Sequence, residues 1–264
     1  MRSRAPRMSN ASPWGWAMGG ALTGLAVALL LFAPATWLSA AVQRLSDRHV
    51  LLEQARGTVW RGSAQLRLTG GAGSSDAATL PGRVTWALQP TFGGVSASLD
   101  APCCTQAPLH MQAALHWDGV QWALRDSQSH WPATMLAGLG TPWNTIQAEG
   151  QLHLNTHNLS ARWMQGRLAM DGQARLEAID ISSRLSTLRP MGSYRLVLQG
   201  GEALTLKLST LQGSLELAGE GHWADARWHF KGSATAAPER LDALSNLLNI
   251  IGRRDGARSF ITIG

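Results

Sequence analysis

Histidine pairs are the first residues in this sequence whose type and spacing could support chemistry. His153 and His157 lie four residues apart, which on a helix would place both imidazoles on one face as ligands of a metal ion. The neighbouring residues Leu152, Leu154 and Thr156 alternate with them, however, and such alternation is typical of a strand. Four residues along a strand span about 13 Å, whereas a shared zinc ion needs bonds of about 2 Å. We therefore interpret the pair as polar-face histidines of a strand.

The other histidines offer no stronger site. His116 and His222 each precede a tryptophan and could be metal ligands, but they also occupy equivalent positions of an internal repeat, which explains them more simply. The remaining histidines have no carboxylate or thiol at a ligand spacing: His49, His110, His130 and His229. The sequence holds no nucleophile elbow, phosphate-binding loop, dinucleotide fingerprint or zinc-protease motif. We expect no enzymatic activity, no catalytic residue, no metal, no cofactor and no small-molecule substrate.

Cys103 and Cys104 are the only thiols in the chain. In an oxidising compartment two adjacent cysteines could close a strained ring or form a bridge to another chain. They could also be two exposed loop thiols without a function. The strain of a bridge between adjacent residues favours this last interpretation.

The charge composition excludes several function classes. The 264 residues contain 23 Lys and Arg against 17 Asp and Glu, and charged residues make up 15% of the chain. Soluble domains usually have about 25%. Apart from Arg253-Arg254, the cations of the body do not cluster as they do in nucleic-acid-binding proteins, so we expect no nucleic-acid partner.

An apolar segment near the N-terminus predicts a membrane anchor. Residues 16–38 contain no charged side chain, and tryptophans lie at both ends, where indole rings favour the headgroup region. Three arginines lie in the preceding tail, residues 1–15, which favours a cytoplasmic N-terminus and an exported body, residues 39–264. A cleaved signal peptide ending near Ser39-Ala40-Ala41 is the alternative, but the apolar run is longer than usual for one. The predicted anchor residues are Trp16, Leu22, Leu25, Val27, Leu29, Leu30, Leu31, Phe32 and Trp37.

The exported part alternates between apolar and polar residues with a period of two. Residues 109–117 are the clearest case, followed by a turn at Asp118-Gly119 and a return strand. Because most such runs have one apolar face, we expect a mainly β fold: an antiparallel meander, forming a curved sheet or groove. One or two short helices interrupt it, at residues 238–251 and 132–138, and residues 35–46 continue the membrane helix or form a helix of their own.

Two parts of this body resemble each other. At an offset of 106 residues, His116-Trp117 aligns with His222-Trp223, and Pro132 aligns with Pro238. The pattern of each copy predicts a strand, a turn, a return strand that contains a tryptophan, and a helix that begins with a proline. We therefore predict an internal repeat comprising residues 109–140 and 215–252.

Several short motifs, in this order, give the chain a resemblance to a known family. They are Gly-Thr-x-Trp-x-Gly at residues 57–62, a tryptophan strand near residue 86, Gly-Ser-Tyr at 192–194, Gln-Gly-Ser at 212–214 and Leu-Leu-Asn-x-Ile-Gly-Arg at 247–253. With the anchor and the repeat, they resemble protein N of the bacterial type II (general) secretion system. The motif positions are Gly57, Thr58, Trp60, Gly62, Trp86, Gly192, Tyr194, Gly213, Asn249 and Gly252.

This resemblance implies a non-enzymatic, single-pass accessory protein of the cell inner membrane. Its N-terminus would be cytoplasmic and its bulk periplasmic, and it would support the export of folded proteins across the outer membrane. Its partners would be other inner-membrane subunits of the secretion apparatus and the lipid of the inner membrane. The family also resembles β-rich periplasmic groove proteins, so the alternative is a protein that contacts or transfers lipid. We expect an open Leu/Trp-lined face in that case, and a face closed by residues 238–251 in the first.

Overall fold

The computed structural model of the chain describes residues 14–164, 167–225 and 227–264. Most of the predicted basic tail, including its three arginines, lies outside the described residues. The helices are α1 (Trp14–Leu31), α2 (Ala35–Leu45), α3 (Trp143–Ile146) and α4 (Leu241–Ile251), with 3₁₀ helices at Ala133–Leu139 and Pro238–Arg240. The strands are β1 (Val50–Gly57), β2 (Arg61–Thr69), β3 (Ala77–Thr79), β4 (Val84–Thr91), β5 (Gly94–Asp100), β6 (Leu109–His116), β7 (Gly119–Leu124), β8 (Ser127–Pro132), β9 (Glu149–Met164), β10 (Arg167–Ser182), β11 (Gly192–Gln199), β12 (Thr205–Gly213), β13 (Leu215–Ala224), β14 (Arg227–Ala236), β15 (Arg253–Asp255) and β16 (Arg258–Ile263).

The strands form a single 16-stranded sheet in which the observed pairings are antiparallel. The order is β1-β2-β4-β5-β6-β7-β9-β10-β11-β12-β13-β14-β16-β15, with β3 on β2 and β8 on β9. Spatial neighbours are therefore mostly sequence neighbours, and the two strands at the ends of the order do not pair with each other in the described chain. The structure confirms the predicted mainly β fold, antiparallel meander and N-terminal apolar helix.

One face of the sheet carries the apolar side chains, and we call it the inner face. The alternating sequence predicts this apolar face, because successive side chains of a strand point to opposite sides of the sheet. Residues that pair across neighbouring strands point to the same side. Leu176 lies opposite Leu196, and Trp122 lies opposite Ala161. The other face is polar, as Lys207 opposite Glu220 illustrates.

The two ends of the strands differ in how the inner face is covered. We call the end with the turns at residues 58–60, 92–93 and 117–118 the junction end, and the opposite end, near Thr69 and Leu215, the far end. At the far end α4 buries Leu244, Leu247 and Leu248 against the sheet. The 3₁₀ helix at Ala133–Leu139 covers the inner face of β2 and β9 there.

Each of the two segments predicted to be a repeat contains a hairpin and a proline that precedes a helix. In the first, β6 and β7 precede β8 and the 3₁₀ helix after Pro132; in the second, β13 and β14 precede the helices opened by Pro238. Trp122 and Trp228 both lie on the inner face.

The two hairpins differ at their turns. Trp223 lies on the inner face opposite Trp228, but Trp117 is part of the β6–β7 turn and is fully exposed. The placement of Trp117 on a strand, with a turn at Asp118-Gly119, is therefore wrong. His116 pairs with Gly119, which makes residues 117 and 118 the turn. Gly119 is the first residue of β7, and a Cβ there would collide with the carbonyl oxygen of Trp163 on β9.

The N-terminal apolar segment is divided into two helices. α1 ends at Leu31, and α2 begins after Pro34, whose extended backbone cannot continue the first helix. Of the two alternatives for residues 35–46, the separate helix is the one observed. Trp37 consequently lies on α2, beyond the end of α1.

Candidate functional site

The first motif builds the junction between α1 and the sheet. Thr58 closes the β1–β2 turn: its Oγ1 lies 3.1 Å from the backbone N of Arg61 and accepts its hydrogen bond. The backbone N–H of Val59 donates to the carbonyl oxygen of Ala33 over 2.8 Å. Trp60 Nε1 donates to the carbonyl oxygen of Leu30, in the last turn of α1, over 2.7 Å. The Gly-Thr-x-Trp-x-Gly motif therefore fastens the end of α1 to the sheet.

The glycine and tryptophan of neighbouring strands complete this junction. Trp86 on β4 lies directly opposite Gly62 on β2, and a Cβ at Gly62 would lie 2.5 Å from the indole ring. The absence of a side chain at Gly62 therefore makes room for the ring. Trp86 Nε1 donates to the carbonyl oxygen of Val59 over 3.0 Å. The ring also packs against Ala35 of α2 and Ala64 of β2, so helix, turn and sheet share one small core.

The second pair of glycines lies at the far end of the sheet. Gly192 on β11 pairs with Gly213 on β12, and a Cβ at Gly213 would collide with the Cα of Gly192. Gly213 also has a φ of +128°, which L side chains rarely adopt. Ser193 Oγ accepts a hydrogen bond from the backbone N of Asp180 over 3.0 Å. These motif positions therefore allow a close approach of two strands.

Tyr194 of the same motif packs into the largest core cluster, under α4. Its hydroxyl is buried and makes no hydrogen bond within the described residues. Burial raises the pKa of the Tyr194 phenol well above its ordinary value.

Tyr194→Phe should leave the free energy of unfolding unchanged or raise it by up to about 1 kcal/mol, because the substitution removes a buried hydroxyl that gains no hydrogen bond. Tyr194→Ala should lower it by about 3 to 5 kcal/mol, because it empties the ring's place in the core. Urea unfolding of the detergent-solubilised protein measures both values. A large loss for Tyr194→Phe would show that the hydroxyl has a partner.

The last motif ends α4 and begins β15. Asn249 Oδ1 accepts a hydrogen bond from Arg254 over 3.1 Å. A Cβ at Gly252 would collide with the carbonyl oxygen of Phe260 on β16. Gly252 therefore permits the chain to pass close to the sheet as it leaves the helix.

The histidines of the strands lie on the outer face, as the interpretation of His153 and His157 requires. His153 packs edge-on against His130 of β8, with ring centroids 4.5 Å apart, and His222 stacks on His229 at 5.4 Å. Within the described residues, no group of three or more His, Cys, Asp or Glu side chains could hold a metal ion.

His157 has a partner that the sequence analysis missed. Its Nδ1 lies 2.6 Å from Asp126 Oδ2, and its Nε2 lies 3.1 Å from Asn158 Nδ2. Both ring nitrogens are therefore engaged, and neither faces a serine or cysteine nucleophile. Asp126 Oδ1 also accepts a hydrogen bond from the backbone N of Asn158 over 2.6 Å. The contacts of Asp126 with His157 and Asn158 connect the β7–β8 loop to a bulge in β9.

The carboxyl of Asp126 makes this contact dependent on pH. The hydrogen bond from the Asn158 backbone holds the pKa of Asp126 below its ordinary value, against the effect of desolvation, and His157 lowers it further. A lowered folded-state pKa means that the ionised carboxylate stabilises the fold above the ordinary pKa, and that this contribution is lost as the pH falls through the folded pKa.

Asp126→Asn should therefore destabilise the protein more at pH 6 than at pH 3, where the wild-type carboxyl is increasingly protonated. Urea midpoints of both proteins across this range test the convergence. Asp118→Asn, which changes an exposed carboxylate in a turn, is the matched control. A difference between wild type and Asp126→Asn that stays constant with pH would contradict this account.

Cys103 and Cys104 are joined by a disulfide bond, and Cys104 is buried in a core cluster with Leu80 and Met135. The interpretation as two exposed free thiols is therefore wrong. Cys104 packs beneath the 3₁₀ helix, against Met135. The spacing of residues in the sequence does not reveal this burial.

Helices cover the inner face at the far end, whereas at the junction end α2 covers only Trp86 and Ala64. Leu244 and Leu248 of α4 lie over the far end, as the closed-face prediction requires. Towards the junction end, Leu159, Met170 and their neighbours pack only with other sheet and loop residues among those described. Neither of the two expectations, a fully closed or a fully open face, describes the whole sheet.

α1 is long and apolar enough to cross a membrane. It has 18 residues, a mean hydropathy of 1.6 and no buried residue. Eighteen residues in a helix extend about 27 Å, close to the hydrocarbon thickness of about 30 Å. Of the predicted anchor residues, Phe32 follows the helix and Trp37 lies on α2; the others are exposed along α1: Trp16, Leu22, Leu25, Val27, Leu29, Leu30 and Leu31.

A comparison with protein families decides what kind of protein this is. The family model described as type II secretion system (T2SS), protein N matches residues 48–261. The chain belongs to the type II secretion system protein N family. The resemblance inferred from the motifs is thereby confirmed, and the match extends from the segment after α2 into β16, so it covers nearly the whole sheet. No curated protein and no solved structure matches the chain.

Proposed function

We propose that this protein N family member is a non-enzymatic accessory component of the type II secretion system, anchored in the cell inner membrane by α1. The observation that carries the proposal is the family match over residues 48–261. In this role the protein holds a large sheet in the periplasm beside the other inner-membrane subunits, and supports the export of folded proteins through contacts with them.

The packing of α2 supports an anchor that is retained. Ala35 is 1% exposed and belongs to a core cluster with Ala64 and Trp86, and Leu38 packs against it. Ser39 Oγ donates to the carbonyl oxygen of Leu52 over 2.6 Å. Cleavage after Ala41 would remove these core residues from the sheet. A helix that is part of the folded domain is therefore better explained as the continuation of an anchor than as a leader peptide.

The charge distribution supports the orientation. Three arginines precede α1, whereas in the sequence after it Arg44 and Arg48 are offset by Asp47 and Glu53. The excess of cations on the N-terminal side favours a cytoplasmic N-terminus, with the sheet on the other side of the membrane.

Secretion by a strain that lacks this protein tests the role. We expect the full chain to restore export of a folded type II substrate, and a variant with a cleavable signal peptide in place of α1 to restore much less, because the sheet is no longer held at the membrane. The matched control replaces α1 by an unrelated single-pass span, which should restore export. Equal export in the presence and absence of the protein would contradict the proposal.

Affinity purification from detergent-solubilised inner membranes tests the partners. Recovery of inner-membrane secretion subunits is the expected result. Recovery of lipid-transport proteins without any secretion subunit would overturn the proposal in favour of the lipid-contact alternative.

A further inference from the structure

Apolar side chains are unusually exposed at the junction end of the sheet. Phe92, in the β4–β5 turn, and Trp117, in the β6–β7 turn, are fully exposed. Leu115 is 74% exposed and Trp163 is 50% exposed, and both lie near these turns. Hairpin turns in water normally carry polar residues, so this concentration of apolar side chains indicates a binding surface.

The strand register places these turns at the same end as α1 and makes them project. Arg61, next to the turn that contacts α1, pairs with Ala87, and β4 continues from there to Thr91 before the Phe92 turn. β6 extends further still, because Gly94 pairs with Ala114, and Trp117 follows beyond. At a strand spacing of about 4.8 Å, the two turns lie about 10 Å and 19 Å from the β1–β2 turn across the sheet.

The chemistry of these turns fits a lipid surface. Indole and phenyl rings favour the interface between headgroups and acyl chains, where tryptophan in particular can bury its apolar body and keep its N–H hydrated. The Trp60–Leu30 hydrogen bond holds the junction end at the last turn of α1, so a bilayer crossed by α1 is always within reach. Arg167, exposed where β10 starts opposite Met164, adds a cation suited to anionic headgroups.

We propose that the junction end of the sheet docks onto the membrane surface, with Phe92 and Trp117 inserted at headgroup level. The proposal rests on the anchoring of α1 proposed above. The membrane then orients the sheet at three points, the α1 junction and the two turns.

Spin-label depth measurements on the full chain test this docking. Nitroxides are attached to Phe92→Cys and Trp117→Cys in proteoliposomes of phosphatidylethanolamine and phosphatidylglycerol, without reductant so that the Cys103–Cys104 bond stays closed. We expect the ratio of oxygen to nickel-complex accessibility to be several-fold higher at these positions than at Ser75→Cys. Ser75 is exposed in the β2–β3 loop of the far end and is the matched control.

A second label separates the failure of docking from the failure of anchoring. At Leu25→Cys in α1 the accessibility ratio should be that of the hydrocarbon core. If the accessibility ratio at position 25 is that of lipid while the ratios at positions 92 and 117 equal the ratio at position 75, docking is overturned and the anchor is retained. If Leu25→Cys reports water, the anchor itself is wrong. Spin–spin broadening in a variant that carries a single label, at position 92 or at position 117, would instead indicate a second copy as the occupant and would overturn docking.

Removing the two aromatic side chains provides an independent readout. A label at Asp118→Cys should become several-fold more accessible to the nickel complex when Phe92→Ser and Trp117→Ser are introduced together. Phe260→Ser, which removes a half-exposed ring on the outer face of β16, should leave that label unchanged. An unchanged label in the double variant would contradict insertion of the two rings.

Discussion

Leu247→Ala should lower the free energy of unfolding by about 3 kcal/mol, within the range of 2 to 5 kcal/mol typical of fully buried leucines. Leu247 is 1% exposed and lies in the cluster that joins α4 to the sheet, beside Leu215 and Ala234. Shortening it leaves a cavity between helix and sheet that rigid neighbouring strands cannot close. Urea unfolding of the full chain in detergent, followed by circular dichroism, measures the loss.

Ile250→Ala is the matched control on the same helix. Ile250 is 42% exposed, so the same kind of truncation should cost less than about 1 kcal/mol. Equal losses for the two variants would contradict the packing of α4 described above.

Gly213→Ala should be at least as damaging, with a loss of about 3 kcal/mol or more. Its positive φ costs about 1 to 2 kcal/mol for a residue with a Cβ. In addition, the new Cβ would collide with the Cα of Gly192 and force β11 and β12 apart beneath Tyr194. The measurement is the same unfolding experiment, together with the yield of folded protein.

Gly201→Ala separates the two causes. Gly201 has a φ of +139°, but a Cβ there would meet nothing within 4 Å. We therefore expect only the backbone cost of about 1 to 2 kcal/mol. A loss at Gly213 no larger than that at Gly201 would show that the close approach of the two strands is unimportant.

The alternation of apolar residues predicted the sheet well, because a single covered face imposes a period of two on every strand. Leu196 and Leu198 of β11, and Leu206 and Leu208 of β12, all lie on the inner face where that period places them. The helix at residues 238–251 was also predictable, since its leucine stripe buries Leu248.

Bulges limited what alternation could predict. On β9 the inner-face positions change from Thr156 to Leu159, across Asn158 with its φ of +48°, and the register with β10 shifts there. The sequence shows that the apolar residues change from even to odd positions here. Only the pairing with β10 shows that the cause of this change is a bulge. The Asp126–His157 contact depends on this bulge and so could not be found from spacing.

The motif positions show a different limit. Their order suggested the family that the match over residues 48–261 shows, but not what each residue does. Gly62 and Gly213 are required by the closeness of Trp86 and Gly192 on neighbouring strands, and neither neighbour is adjacent in sequence. Likewise, the exposure of Trp117 depends on a turn that begins one residue earlier than the Asp-Gly pair indicates.

Reporter fusions to Gly264 measure most directly on which side of the membrane the sheet lies. Alkaline phosphatase folds actively only after export, whereas a green fluorescent protein exported in the unfolded state stays dark, so the two reporters give opposite signals. We expect an active phosphatase and a dark fluorescent protein on an intact, membrane-bound chain. A fluorescent fusion with an inactive phosphatase would place the sixteen strands in the cytosol and contradict the account.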